Sequence, residues 1–283
     1  MRTPSPATTD FLALVARMAE RFEPPRVRGL IMPDASKAHG RFTKFCALEL
    51  DDDSIGLTCV LPGDTLRVLV GLRSGTALVG LPSNELASWY GCTDEARRTL
   101  GFAAINALSQ SLFRRAGYSP DPAPDSVGGL DPGPSDHVGM IGLFPPLIGP
   151  ILRSGARLTV LELRPDLIMD NPRYRATLDP GELAACNKVV STGTVILNDT
   201  LDAALSACRR ADYVTMVGPT AGFVPDPLFA RGVDGVGGTR VVDPAGLRAA
   251  LPSGERWGRH AQKYFIRRDR YPGIDALLEA AGR

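Results

Sequence analysis

From His137 onward the chain alternates short apolar runs with helical stretches, and this alternation constrains the fold more than any other feature. The runs "HVGMIG", "RLTVLEL", "KVVST" and "YVTMVGP" are nearly continuous in apolar residues. Helical segments near 145–154 and at "TLDAALSACRRA", with a helix or turn around 179–185, separate them. Strands apolar on both faces and joined by helical crossovers predict a parallel sheet covered on both sides. A glycine-rich return then leads to "TRVVD". The expected class is α/β with a Rossmann-like, doubly wound sheet, whose ligand belongs beyond the carboxyl ends of the strands.

The front of the chain has a different rhythm. In "DFLALVARMAERF" Phe11, Leu12, Val15, Met18 and Phe22 recur at helical spacing, with Asp10 as the expected N-cap. The runs "RVRGLIMPD", "FCALEL", "SIGLTCVL" and "TLRVLVGL" are β-prone and divided by Gly, Asp and Pro, which predicts a small antiparallel meander. "SNELASWYG" reads as a helix capped by Ser83 with Glu85 in its first turn, and "TDEARRTLGFAAINALSQSLFRRAG" as a longer one ending at Gly117. Gly101, Ala103, Ala104 and Ala107 predict close helix packing, with Asn106 as a satisfied buried amide. The organisation expected is a smaller α+β domain over 1–118, a Pro/Gly/Asp-rich linker over 119–136 and the Rossmann-like domain over 137–283.

Three loops on the expected rim carry polar chemistry. "GMIGLFPPLIGP" places Gly142 where a nucleotide-binding turn would begin, yet G-x-G-x-x-G is absent and Phe144 is followed by two prolines that have no N–H. That turn is poorly equipped for a pyrophosphate, and Pro145 is suited to open a helix. Glu162 stands near the position of an acidic ribose partner. In "STGTVILNDTLDAAL", Thr192, Gly193, Thr194, Asn198 and Asp199 gather hydroxyl, amide and carboxylate groups between a strand and a helix. Asp199 or Thr200 alone would suffice as an N-cap. Pro219 and Thr220 end another strand on the same rim.

The sequence offers little to other chemistries. With 44% hydrophobic and 22% charged residues and a net charge of +1, neither a disordered chain nor a strongly basic nucleic-acid binder is expected. The first residues lack a signal-peptide pattern and the most apolar run, 138–152, is too short to span a bilayer, so a cytoplasmic protein with no membrane partner is expected. His39, His137 and His260 show no metal-ligand spacing, and Cys46, Cys59, Cys92, Cys186 and Cys208 are scattered without a C-x-x-C pair. No G-x-S-x-G elbow occurs.

The stretches "GFAAINAL", "VGMIGLFPPLI", "TVLELRP", "STGTVILNDTLD", "VGPTAGFVPDPLFARGVDGVGGTRVVD" and "KYFIRR" occur in that order between Ile55 and Arg268. In these the chain resembles a bacterial and archaeal family described by heavy-metal chelation. The resemblance implies an enolase-N-terminal-like front domain, a Rossmann-like C-terminal domain, and a ligand cleft between them. It implies Gly142, Phe144, Glu162, Thr192, Gly193, Thr194, Asn198, Asp199, Pro219 and Thr220 as the rim; Arg41 and Lys44 lie in the front segment, 1–54, where the resemblance is loose. The expected function is binding of a metal ion or a metal-chelating small molecule, the metal being divalent or of the transition series. The alternative is a biosynthetic enzyme that takes a nucleotide or sulfonium cosubstrate, with Glu162 on a ribose and Asp199 as candidate acid or base. A homo-oligomeric scaffold is the third reading.

Overall fold

A computed structural model describes residues 4–33, 44–60, 64–73, 78–123, 127–165, 168 and 171–282. The first helix, α1 (Pro6–Arg21), begins earlier than expected: Ser5 is the N-cap and accepts from the Thr8 amide, with Pro6 at the first helical position. A serine followed by proline is the stronger start signal, because the ring presets φ and the missing N–H is one the helix leaves unbonded. Asp10 lies inside the helix and pairs with Arg231.

Three antiparallel strands follow, β1 (Val27–Ile31), β2 (Lys44–Leu50) and β3 (Ile55–Val60), in the order β1-β2-β3. The fourth expected strand, "TLRVLVGL", is instead part of α2 (Asp64–Arg73). Thr65, Leu66 and Leu69 are buried while Arg67 and Val68 are exposed, a helical period that overrode the β propensity of the valines. Next come α3 (Ser83–Ser88), a 3-10 turn at Trp89–Gly91 and α4 (Glu95–Arg115), capped by Asp94 and followed by Gly117 at φ +63°. Ser83 does not cap α3; Pro82 precedes the helix and Ser83 is buried in its first turn.

Every residue of α4 from Arg98 to Phe113 is buried, so this helix is core on all sides. Gly56 of β3 lies against its backbone: a Cβ there would come within 2.2 Å of the Ala103 carbonyl oxygen. The other face of the meander, at Ile31, Ala47 and Leu57, packs on Leu247 and Leu251.

After β4 (Asp121–Pro122) the C-terminal half runs β5 (His137–Ile141), α5 (Pro145–Arg153), β6 (Arg157–Leu161), β7 (Arg175–Thr177), β8 (Lys188–Thr192), α6 (Leu201–Ala207), β9 (Tyr213–Val217), α7 (Asp226–Phe229), β10 (Gly235–Val241), α8 (Pro244–Ser253), β11 (Ala261–Arg267) and α9 (Ile274–Ala281). These strands form one sheet of order β4-β11-β10-β9-β8-β5-β6-β7. Neighbours from β7 to β10 pair in parallel, while β11 and β4 close the edge antiparallel. Counted from β5, the parallel strands stand in the order 3-2-1-4-5-6 of a doubly wound nucleotide-binding sheet, and the order reverses between β5 and β8. The expected α/β class is therefore the observed one.

The segment read as a linker is tied to the sheet wherever it is described. Asp121 and Pro122 pair with β11, and Val127 and Leu130 are buried against Val138 and Val217. Its apolar residues are too few for a periodic signal but sufficient to seat it. The two halves also share one core, in which Phe11 and Phe102 stack edge to face with each other and with Phe223. Gly56→Ala should destabilise the whole chain by about 2 kcal/mol or more, because backbone rather than a flexible side chain blocks the added methyl. Urea unfolding followed by circular dichroism tests this.

Candidate functional site

A cavity of about 730 Å³ lies over the carboxyl ends of β5, β8, β9 and β10. Its size is that of a site for a small organic molecule. Gly142, directly after β5, adopts φ +81°, and a Cβ there would lie 2.4 Å from Thr192 Cγ2. Only glycine satisfies both demands where the strand order reverses. After β8, the Thr192 side chain caps a 3-10 turn at Gly193–Ile196 and its hydroxyl lies 3.2 Å from that of Thr194. After β9, Gly218 at φ +133° turns the chain toward Thr220, whose hydroxyl accepts from the Cys59 amide at 3.0 Å.

The meander reaches across to supply part of the wall. Phe45 of β2 stacks on Trp257, ring centroids 5.5 Å apart, and both line the cavity. Tyr264, Lys263 and Phe265 of β11 complete a wall that is mostly carbon.

All of the expected rim residues except Asp199 line this one cavity. Asp199 is held elsewhere, at φ +58°. Its carboxylate pairs with the Arg98 guanidinium at 2.6 Å and accepts from the Ser5 and Thr8 hydroxyls, with both charged side chains largely buried. Arg98 also donates to the Leu197 and Tyr90 carbonyls and stacks on the Tyr90 ring. Asp199 is thus a clasp between the rim loop, α1 and α4, outside the described lining of the cavity. Thr200 takes the N-cap position of α6 without a side-chain bond, and Asn198 receives its amide and hydroxyl.

Glu162 faces the cavity, yet its carboxylate is occupied. One oxygen accepts from the Leu143 amide at 2.9 Å and the other from the Leu163 and Arg164 amides at 2.8 and 3.2 Å. The Leu143 N–H that might have faced a phosphate therefore faces a carboxylate. Pro145 and Pro146 contribute no donor, and the Leu147 amide bonds to the Phe144 carbonyl. This turn repels an anion instead of cradling one.

The donor set also fits a bare soft metal poorly. Burial pushes the thiols of Cys46 and Cys59 up, that of Cys186 to about 11 and that of Cys208 to about 12, and none of the four is among the residues lining the cavity. Among the described residues no group of three or more His, Cys, Asp or Glu side chains is placed to hold a metal ion. His137 sits at the amino end of β5 with Nε2 2.9 Å from Thr159 Oγ1, and His260 Nδ1 lies 2.8 Å from Asp243. His39 and Arg41 fall outside the described residues, as does the Lys44 side chain.

Phe45, Trp257, Lys263 and Tyr264 were not read from the sequence as site residues. The signal available was modest: an aromatic on a meander strand and a Lys-Tyr pair in the β-prone tail.

A family model described as "Putative heavy-metal chelation" matches residues 127–268, and a second model of the same description matches 41–109. The chain belongs to this family. An uncharacterized protein of Methanocaldococcus jannaschii is 31% identical over 151 residues, which is 53% of this chain and 57% of that relative. A family member of unknown function from Desulfitobacterium hafniense superposes with a TM-score of 0.69 at 23% identity, covering 90% of this chain and 97% of its own. Another, from Pyrococcus horikoshii, gives 0.68 at 19% identity, covering 91% and 99%. These structures share the fold.

Because Asp199 balances a buried guanidinium, Asp199→Asn should cost about 3 kcal/mol of stability. A chemical-denaturation midpoint within error of the wild type would show that the clasp is dispensable.

Proposed function

We propose that the chain binds a small organic molecule bearing metal-chelating groups in the cavity at the carboxyl edge of the sheet, so that a metal enters as part of the ligand. The observation that carries this reading is the wall itself: a large carbon surface with glycine backbone and threonine hydroxyls, whose one glutamate is already bonded to three amides. Such a surface recognises a planar organic framework, with Thr192, Thr194 and Asn198 fixing its orientation. Lys263, which has no carboxylate partner among the described residues, suits the negative charge that oxygen-donor chelators carry. The family description agrees with a chelate as the ligand class.

One observation favours a second reading. The strand order and its reversal under the cavity are those of cosubstrate-binding sheets, and a nucleoside sulfonium would need no pyrophosphate cradle. In that case the chain is a biosynthetic enzyme, and an acid–base role for Asp199 would require its pair with Arg98 to open. On either reading the ligand is small; no helix among the described residues is long and apolar enough to cross a membrane.

Thermal-shift measurements separate the possibilities. The probes are zinc and nickel salts alone, pyridine-2,6-dicarboxylate and 2,3-dihydroxybenzoate with and without those metals, and S-adenosylmethionine. A chelator near 100 times its Kd should raise Tm by about 5 °C or more, and Lys263→Gln should remove at least half of that gain. A gain from S-adenosylmethionine alone would favour the enzyme. A gain from bare metal salts that Lys263→Gln leaves intact would refute the proposal.

A further inference from the structure

Tyr264 also lines a second cavity, of about 230 Å³, and is the one residue common to both among the described residues. This smaller space lies where the β2–β3 turn, the C-terminal half of α4 and β10 meet. Its charges are unevenly matched. Asp53 pairs with Arg28 at 2.5 Å, and Arg114 pairs at 2.6 Å with Asp52, which also receives the Ser111 hydroxyl. Arg240 has no carboxylate partner among the described residues; its guanidinium reaches only the Gln262 amide oxygen, at 3.0 Å. The local carboxylates are thus neutralised and one arginine is left over.

The neutral groups in this cavity are donors as well. The Tyr264 hydroxyl accepts from Gln110 Nε2 at 3.1 Å, which leaves its own hydrogen to give. Gln110 is fixed by a second bond, to the Gly222 carbonyl at 2.6 Å. Gly238 makes room for the ring, since a Cβ there would lie 2.4 Å from the Tyr264 hydroxyl oxygen. Tyr118 lines the same cavity and interacts electrostatically with Tyr264, as does Arg240. Burial pushes Tyr118 up to about 12 and raises Tyr264 as well, so both phenols keep their protons.

We propose that this second cavity binds a small oxyanion, carboxylate or phosphate, with Arg240 as its charge partner and the Tyr264 and Tyr118 hydroxyls as further donors. A guanidinium fork beside two phenols matches the geometry of an oxyanion and has little to offer a cation. The two cavities would then differ in kind. The larger offers its occupant carbon, threonine hydroxyls and one amine, and the smaller a guanidinium and phenol hydroxyls. Because Tyr264 walls both, an anion in the smaller cavity would hydrogen-bond a side chain that shapes the larger one.

Isothermal titration of the full chain with sodium phosphate, and separately with sodium malonate, at ionic strength matched with chloride, tests the assignment. Saturable one-to-one binding of at least one anion is expected, and the tighter of the two identifies the headgroup. Arg240→Gln should weaken it about tenfold or more, Tyr264→Phe should weaken it by a smaller factor, and Arg67→Gln, an exposed arginine on α2 outside both cavities, should leave it unchanged. Should Arg240→Gln fail to fold, Arg240→Lys keeps the charge without the fork and should still weaken binding. Absence of saturable binding, affinity in the Arg240 variants equal to wild type, or loss of binding in Arg67→Gln would each overturn the proposal.

Discussion

The arrangement of this molecule depends on the Asn106 side chain in the middle of a buried helix. Its amide nitrogen donates to the Leu57 carbonyl at 2.6 Å and to the Thr220 carbonyl at 2.9 Å, joining the front meander to the loop beyond β9. The neighbouring bond from the Cys59 amide to the Thr220 hydroxyl repeats the connection two residues further along β3. Two turns earlier on α4, Arg98 holds the carbonyl of Leu197 and the carboxylate of Asp199. A buried carbonyl or charge left without its partner costs about 1–3 kcal/mol or more, so both rim loops are held to the same helix in one geometry. The cavity lies beside these ties, at the carboxyl edge of the large sheet, with Phe45 of the meander in its wall.

The turn after β5 sets the chemical character of the site. In a doubly wound sheet the turn after the first strand usually supplies free amides to an anion. Here Phe144-Pro145-Pro146 removes two of those donors, and Glu162 takes a third from Leu143. The same carboxylate that the strand order would reserve for a ribose is engaged in rigidifying the turn. What remains for a ligand is carbon, hydroxyl and exposed amine, and this is the basis for proposing a chelate carried on an organic framework over a naked ion.

Much of this was legible in the sequence because it is local. Apolar runs separated by helical crossovers determine a parallel sheet, and the strand ends then determine a rim, so Gly142, Thr192, Thr194 and Thr220 could be grouped without coordinates. Asp199 looked like part of that group because it follows Asn198 directly; its partner Arg98 lies on a helix far away in sequence, and only the fold brings the two together. The positive φ at Asp199 is likewise a tertiary outcome. The wall formed by Phe45 and Trp257 joins the two halves of the chain and has no local signature. In "TLRVLVGL" two valines outweighed the helical spacing of Leu66 and Leu69, and in the Pro/Gly-rich segment Val127 and Leu130 were too sparse to reveal their burial.

The most direct test of the account is native mass spectrometry of untagged protein purified without chelators, compared with its denatured mass. The account predicts an excess equal to one organic molecule per chain, with or without a metal, that is released on unfolding. An excess equal to a metal ion alone, or a native mass equal to the bare polypeptide, would contradict it.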